Sequence, residues 1–223
     1  MPKIHPKNWR QKFIPSQAVC MSIFSRRPAG AGQRNYMNSF FPVGTRSLLF
    51  GVHLFWFHPL MVAWAWWRLY GFPRDPRLWM SFFLHDLGYW GKPDMDGTAG
   101  EQHVELGAAI MGRLFGPAWK NFTLGHSRYY AQHLGLLPSR LCMADKYSFV
   151  LESRTFYLWR ACLSGEINEY LAHRHHGKYA VMGPTTYSAE QRADLLAWHT
   201  ELAEYLRRYV LLHAHLATPE PKG

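Results

Sequence analysis

Acidic residues are scarce in this sequence, and its opening has none: Lys3, Lys7, Arg10, Lys12, Arg26, Arg27 and Arg34 all come before the first one. The formal net charge is +10. Such a balance suits anionic partners such as a nucleotide, a nucleic acid or an acidic membrane surface, with a solvated basic surface as the plain alternative. No basic run is interleaved with aromatics, so specific nucleic-acid binding is not expected. Cysteine is also sparse. Cys20, Cys142 and Cys162 are odd in number and far apart, which excludes a disulfide framework and a cysteine zinc site. Buried free thiols in a reducing compartment, hence a cytoplasmic location, are expected. The start of the chain lacks a continuous apolar stretch before a small-residue cleavage site, so no signal peptide is expected. Alternating apolar and polar runs of strand length are missing, as are internal repeats. Charged residues make up only 18 % and apolar ones 48 %, which excludes wholesale disorder. The expected class is all-α.

What is present divides into three parts. Residues 1–45 form an irregular basic extension with Pro2, Pro6, Pro15, Pro28 and the run Ala29-Gly30-Ala31-Gly32. Met37 would serve equally well as an opening residue. Residues 46–216 form the helical domain, and 217–223 a tail. No charge falls between Arg46 and Arg68, a stretch long enough to span a bilayer. It contains His53, His58 and Pro59, however, and its bulk is Trp and Phe, so a buried core helix over 46–70 is the main expectation. A membrane-embedded or interfacial helix is the alternative, because Trp favours that boundary. Asp75 and Pro76 start a helix that runs to about His85-Asp86. A loop over 91–100 follows, then a helix over 100–115, with others near 117–133, 138–152, 153–173 and 188–214. Ser188 and Gln191 make a capping box for the last.

Chemistry concentrates in a few polar residues set among apolar ones. Phe82-Phe83-Leu84-His85-Asp86-Leu87-Gly88 places an imidazole beside a carboxylate at the end of an apolar helix. That pair suits a borderline or hard divalent cation, and a carboxylate facing a core needs such a partner, because an unpaired buried charge is very costly. Upstream, His58-Pro59-Leu60-Met61-Val62-Ala63 opens an apolar helix. Downstream, Leu141-Cys142-Met143-Ala144-Asp145-Lys146 puts Asp145 inside another. Between them lie His103, in Glu101-Gln102-His103-Val104-Glu105-Leu106-Gly107-Ala108, and His126, in Leu124-Gly125-His126-Ser127.

In order and spacing, His58, His85-Asp86 and Asp145 resemble the HD superfamily of metal-dependent phosphohydrolases over roughly residues 46–160. His103 and His126 match the two further histidines of its binuclear members. The chain departs from the family in two places. Tyr89 and Trp90 stand where Lys often follows the His-Asp pair, with Lys92 arriving later. The Gly-Tyr-Pro signature and the paired histidines of the cyclic-dinucleotide branch are absent.

The resemblance implies an HD-type helical bundle and a metal-dependent phosphohydrolase acting on a nucleotide or related phosphate ester. It implies one or two divalent ions, with Mn, Fe, Co, Ni, Zn and Mg all admissible. His58, His85, Asp86 and Asp145 would hold one ion and Asp86, His103 and His126 the other, with two favoured over one. Asp86 and His85 would form the catalytic centre around a metal-activated water. Lys92 and Arg128 would contact phosphate, with Arg140 and Lys146 as further candidates. His53 competes with His58 as first ligand, and the spacing to His85 favours His58. Asp96, Glu101 and Glu105 are candidates to orient the histidines. His133 is either a further ligand of the second ion or, preferably, a surface residue; His199, His213 and His215 read as surface residues, and His173-Arg174-His175-His176 as a peripheral tract near a helix end. The competing reading is a non-catalytic HD-fold regulatory or binding module, docked on a membrane through the Trp-rich segment 46–70.

Overall fold

The computed structural model describes residues 41–171 and 188–222. Most of the basic extension, Met37, Cys20 and the tract His173 to His176 lie outside the described residues. Among the described residues the regular structure is helical, with one isolated bridge between Ser139 and Thr218 and no sheet. Eleven α-helices are described: α1 Val43–Phe50, α2 His58–Tyr70, α3 Pro76–Leu84, α4 Thr98–Glu101, α5 Val104–Phe115, α6 Pro117–Leu124, α7 Arg128–His133, α8 Arg140–Leu151, α9 Arg154–Ser164, α10 Ile167–Tyr170 and α11 Ala189–His213. A short 3-10 turn at Leu87–Tyr89 lies between α3 and α4, and another at Ala214–Leu216 follows α11.

Local signals account for most helix starts. The Asp75 carboxylate accepts from the Arg77 amide at 2.8 Å, and Pro76 supplies a fixed φ where no amide is needed. Ser139 accepts from the Cys142 amide. Ser188 and Gln191 exchange both bonds of a capping box. Several expected helices prove to be two. The segment 46–70 breaks after Phe50 and resumes at His58, because Pro59 can open a helix but cannot sit inside one. The 117–133 segment breaks at Gly125 to Ser127, where the Ser127 side chain caps α7. The 153–173 segment is interrupted by Gly165, whose φ of 84° lies in the left-handed region.

The principal core joins α2, α3, α5, α6 and α8 through Val62, Trp66, Phe82, Met111, Trp119 and Leu141. Truncating a buried ring such as Phe82 to Ala costs about 3–5 kcal/mol in such a setting. A second core gathers Tyr157, Leu158, Ala161, Ile167 and Leu195 from α9, α10 and α11 around Val52. Two close backbone approaches near the site occur at glycines. A Cβ on Gly88 would lie 1.9 Å from the His103 carbonyl oxygen, and one on Gly107 would lie 2.2 Å from that of Leu84. These contacts draw the end of α3 and the start of α5 together. The expectation of a wholly buried helix over 46–70 is corrected: Val62, Ala65 and Trp66 face inward, but Leu60, Trp64 and Trp67 face outward. No described helix is long and apolar enough to cross a membrane.

Candidate metal centre

Five of the six candidate ligands stand at helix ends, where side chains of different elements can converge. His58 is the first residue of α2, His85 follows α3, and Asp86 precedes the Leu87–Tyr89 turn. His103 precedes α5, and His126 lies between α6 and α7. Asp145 alone comes from mid-helix, in α8. The structure brings all six together. They form two groups sharing Asp86: His58, His85, Asp86 and Asp145, and Asp86, His103 and His126, with one donor atom per residue inside 4.8 Å of the others.

The two oxygens of Asp86 divide the site. Oδ2 lies 3.1 Å from His58 Nε2 and 3.0 Å from His85 Nε2. Oδ1 lies 3.3 Å from His126 Nε2 and 3.5 Å from His103 Nε2. Asp145 closes the first group, with Oδ1 3.2 Å from His58 Nε2. The opposite nitrogen fixes two of these rings. His85 Nδ1 donates to the Phe82 carbonyl at 2.8 Å, and His103 Nδ1 donates to the Gly100 carbonyl at 2.7 Å. A carbonyl only accepts, so the proton of each neutral ring stays on Nδ1 and the Nε2 lone pair faces Asp86. Lone pair then meets lone pair. Consistently, His58 Nε2, His85 Nε2, Asp86 Oδ2 and His126 Nδ1 are buried with no hydrogen-bond partner. A cation between such atoms would satisfy them. The residues present therefore fit a divalent metal.

Charge in the centre is consistent with this. Burial pushes the Asp86 carboxyl up, but His85, His53, His126 and His58 pull it well below the usual range. Burial lowers His58, yet Asp145 and Asp86 raise it further, to about 10. His103 is held down to about 3 by burial, and His126 is lowered for the same reason. The carboxylates are thus ionised and His103 and His126 neutral, the forms a metal takes, whereas His58 holds a proton between Asp86 and Asp145 that a metal would displace.

Other predicted residues fall less centrally. His53 stands behind the centre, with Nε2 4.0 Å from Asp86 Oδ2. Its Nδ1 donates to Ser47 Oγ at 2.8 Å, and that hydroxyl donates to Glu166 at 2.9 Å. Lys146 Nζ is 4.0 Å from Asp145, close enough to Arg128 for the two cations to repel. Arg128 also lies over the Tyr209 ring. Arg140 instead pairs with Glu220 at 3.2 Å and covers Tyr70. Lys92 is half-buried beyond the Leu87–Tyr89 turn, and its carbonyl accepts from the Gly44 amide. Asp96, Glu101 and Glu105 do not orient the histidines. Glu101 accepts from Ser127, Glu105 from Tyr130, and the Asp96 carboxyl is pushed to about 7 by desolvation and by Glu169 and Glu101. The orienting groups are backbone carbonyls. His133 and His215 are exposed and His213 half-buried, whereas His199, expected at the surface, is buried in the second core between Phe149 and Tyr157.

Two contributors carried no legible signal. Tyr89 stacks on His103, ring centroids 4.0 Å apart and planes 6° apart, and its only hint is its place three residues after Asp86. Glu166 is fully buried and accepts from the Val52 amide, Ser47, Ser164 and Tyr170. It anchors the turn that delivers His53 and His58, and nothing in the local sequence announces it. No protein-family model, curated protein or solved structure matches this chain.

Proposed function

We propose that this chain is a metal-dependent phosphohydrolase of the kind that the HD resemblance implies, acting on a small phosphate ester, with a nucleotide as the expected class. The observation that carries the reading is the placement of Asp86. One of its oxygens faces the His58, His85 and Asp145 group, and the other faces the His103 and His126 group. Divalent ions held there would supply charge for phosphate oxygens and a water of lowered pKa as nucleophile.

The chain's own residues do the rest. The Phe82 and Gly100 carbonyls keep His85 and His103 in the tautomer that offers Nε2 inward. Tyr89 covers one face of His103 and limits water on that side. Lys146 holds positive charge next to Asp145, with Arg128 near enough to repel it, and an anion seated against both would relieve that repulsion. Arg128 is suited to bidentate capture of a phosphate.

The test is metal analysis of purified protein followed by a panel of phosphate mono- and diesters and nucleotides with Mn, Co, Ni and Mg. Phosphate release by the wild type and its loss in Asp86→Ala are expected. Bound metal with no release from any ester would replace this reading with the non-catalytic regulatory module.

A further inference from the structure

Helix α2 presents two apolar faces. One packs inward and carries His58 to the metal centre; the other is bare. Leu60, Trp64 and Trp67 follow at i, i+4 and i+7, which places them on one narrow stripe. All three are exposed, Trp67 at 56 %. Phe55 and Trp56 are exposed in the turn leading into α2, and at its far end Phe72 is exposed with its ring 6.0 Å from that of Trp67. A run of large apolar side chains of this kind marks a binding surface.

A separate observation names the partner. Residues 1–74 contain ten Lys and Arg and no Asp or Glu, whereas residues 75–223 hold fifteen of each. The whole formal net charge of +10 therefore belongs to the stretch of chain that includes the stripe. Arg68 and Arg74, both exposed, border it. A second copy docked face to face would bring Arg68 and Arg74 of each chain towards those of the other, which charge repulsion opposes. An anionic lipid surface meets both features. Indole rings settle at the headgroup level, and basic side chains beside them are drawn to anionic headgroups. The helix has 13 residues and is about 20 Å long, short of the roughly 30 Å hydrocarbon core, so it can lie on a bilayer but not cross it.

We propose that the exposed face of α2, centred on Leu60, Trp64 and Trp67, docks this chain peripherally on anionic lipid bilayers. The proposal is independent of phosphohydrolase activity, because the stripe and the metal ligand His58 lie on different faces of the helix. The experiment is co-sedimentation of the full chain with vesicles of phosphatidylcholine alone or with about one third phosphatidylglycerol, at low and high salt. Wild type is compared with Trp64→Ser/Trp67→Ser and with Trp67→Gln alone, each verified as folded by circular dichroism and unchanged metal content. The wild type should bind the anionic vesicles only, and high salt should weaken that binding. The double variant should partition at least about tenfold less. Binding equal in wild type and double variant would assign the interaction to the basic extension alone and overturn the proposal. Absence of binding to anionic vesicles would overturn it as well. So would a wild-type dimer that the double variant converts to monomer, since the face would then belong to a second copy.

Discussion

His199 lies flat against Phe149, with ring centroids 4.5 Å apart and planes 24° apart. Burial, helped by Arg154, holds its imidazole down to about 4, against an ordinary value of 6.5. The folded state therefore resists a proton that the unfolded chain accepts. The stability this contributes is complete above pH 6.5 and is lost as pH falls from 6.5 towards 4. In urea titrations across that window, His199→Leu should flatten the acid-side decline seen in wild type. Parallel slopes in the two proteins would show that His199 contributes nothing to it. The same residue shows what a sequence conceals. Its position on a long polar-looking helix suggests the surface, and only the packing of α11 on α8 and α9 buries it. The candidate metal ligands are easier to read, because a His or Asp inside an apolar run requires a local reason. His53 and Glu166 are harder. Their partnership spans more than a hundred positions, and no spacing rule reaches that far.

The helices are legible where a side chain caps the start of an apolar run, as at Asp75 and Ser188. They are misjudged at Gly165, where the backbone sets the boundary, and at Ser127, whose capping side chain lies inside a segment that reads as one helix until the packing of the next helix is known. Two glycines matter most to the site. Gly88 lets the turn after Asp86 touch the backbone at His103, and Gly107 lets α5 rest on the end of α3. Gly88→Ala puts a methyl group against a carbonyl that cannot move without carrying His103 away from Asp86. We expect a loss of about 2–4 kcal/mol in chemical unfolding. We also expect weaker metal binding, out of proportion to the same stability loss made by Phe82→Ala in the core. Equal metal affinity in the two variants would mean that the close approach serves packing only.

At the scale of the molecule, six candidate ligands from five separate segments would make a metal held between them a crosslink across most of the fold. A ligand that binds only the folded form at a hundred times its dissociation constant adds about 2.7 kcal/mol, which for a chain of this size raises the melting temperature by roughly 5–10 °C. Chelator-treated protein should regain that increment with added Mn, Co or Ni, with about two metal equivalents at saturation. His103→Ala/His126→Ala should keep one equivalent, and Asp86→Ala should keep neither the metal nor the increment. Saturation of wild type at a single equivalent would reduce the centre to the His58, His85, Asp86 and Asp145 group. The position of Glu166 adds a constraint on assembly. This carboxylate fastens Ser47 and Val52 from behind, 119 and 114 positions away in the chain, and so fixes the turn that leads to His58. Synthesis runs from the amino terminus, and every ligand of the centre leaves the ribosome before Glu166 does. A nascent chain that has only just exposed Asp145 owns all six donors, yet its first histidine is still untethered. The centre is therefore finished late, when α9 and α10 close a long loop onto a strand of chain made much earlier. Metal capture there would wait on the last third of the protein.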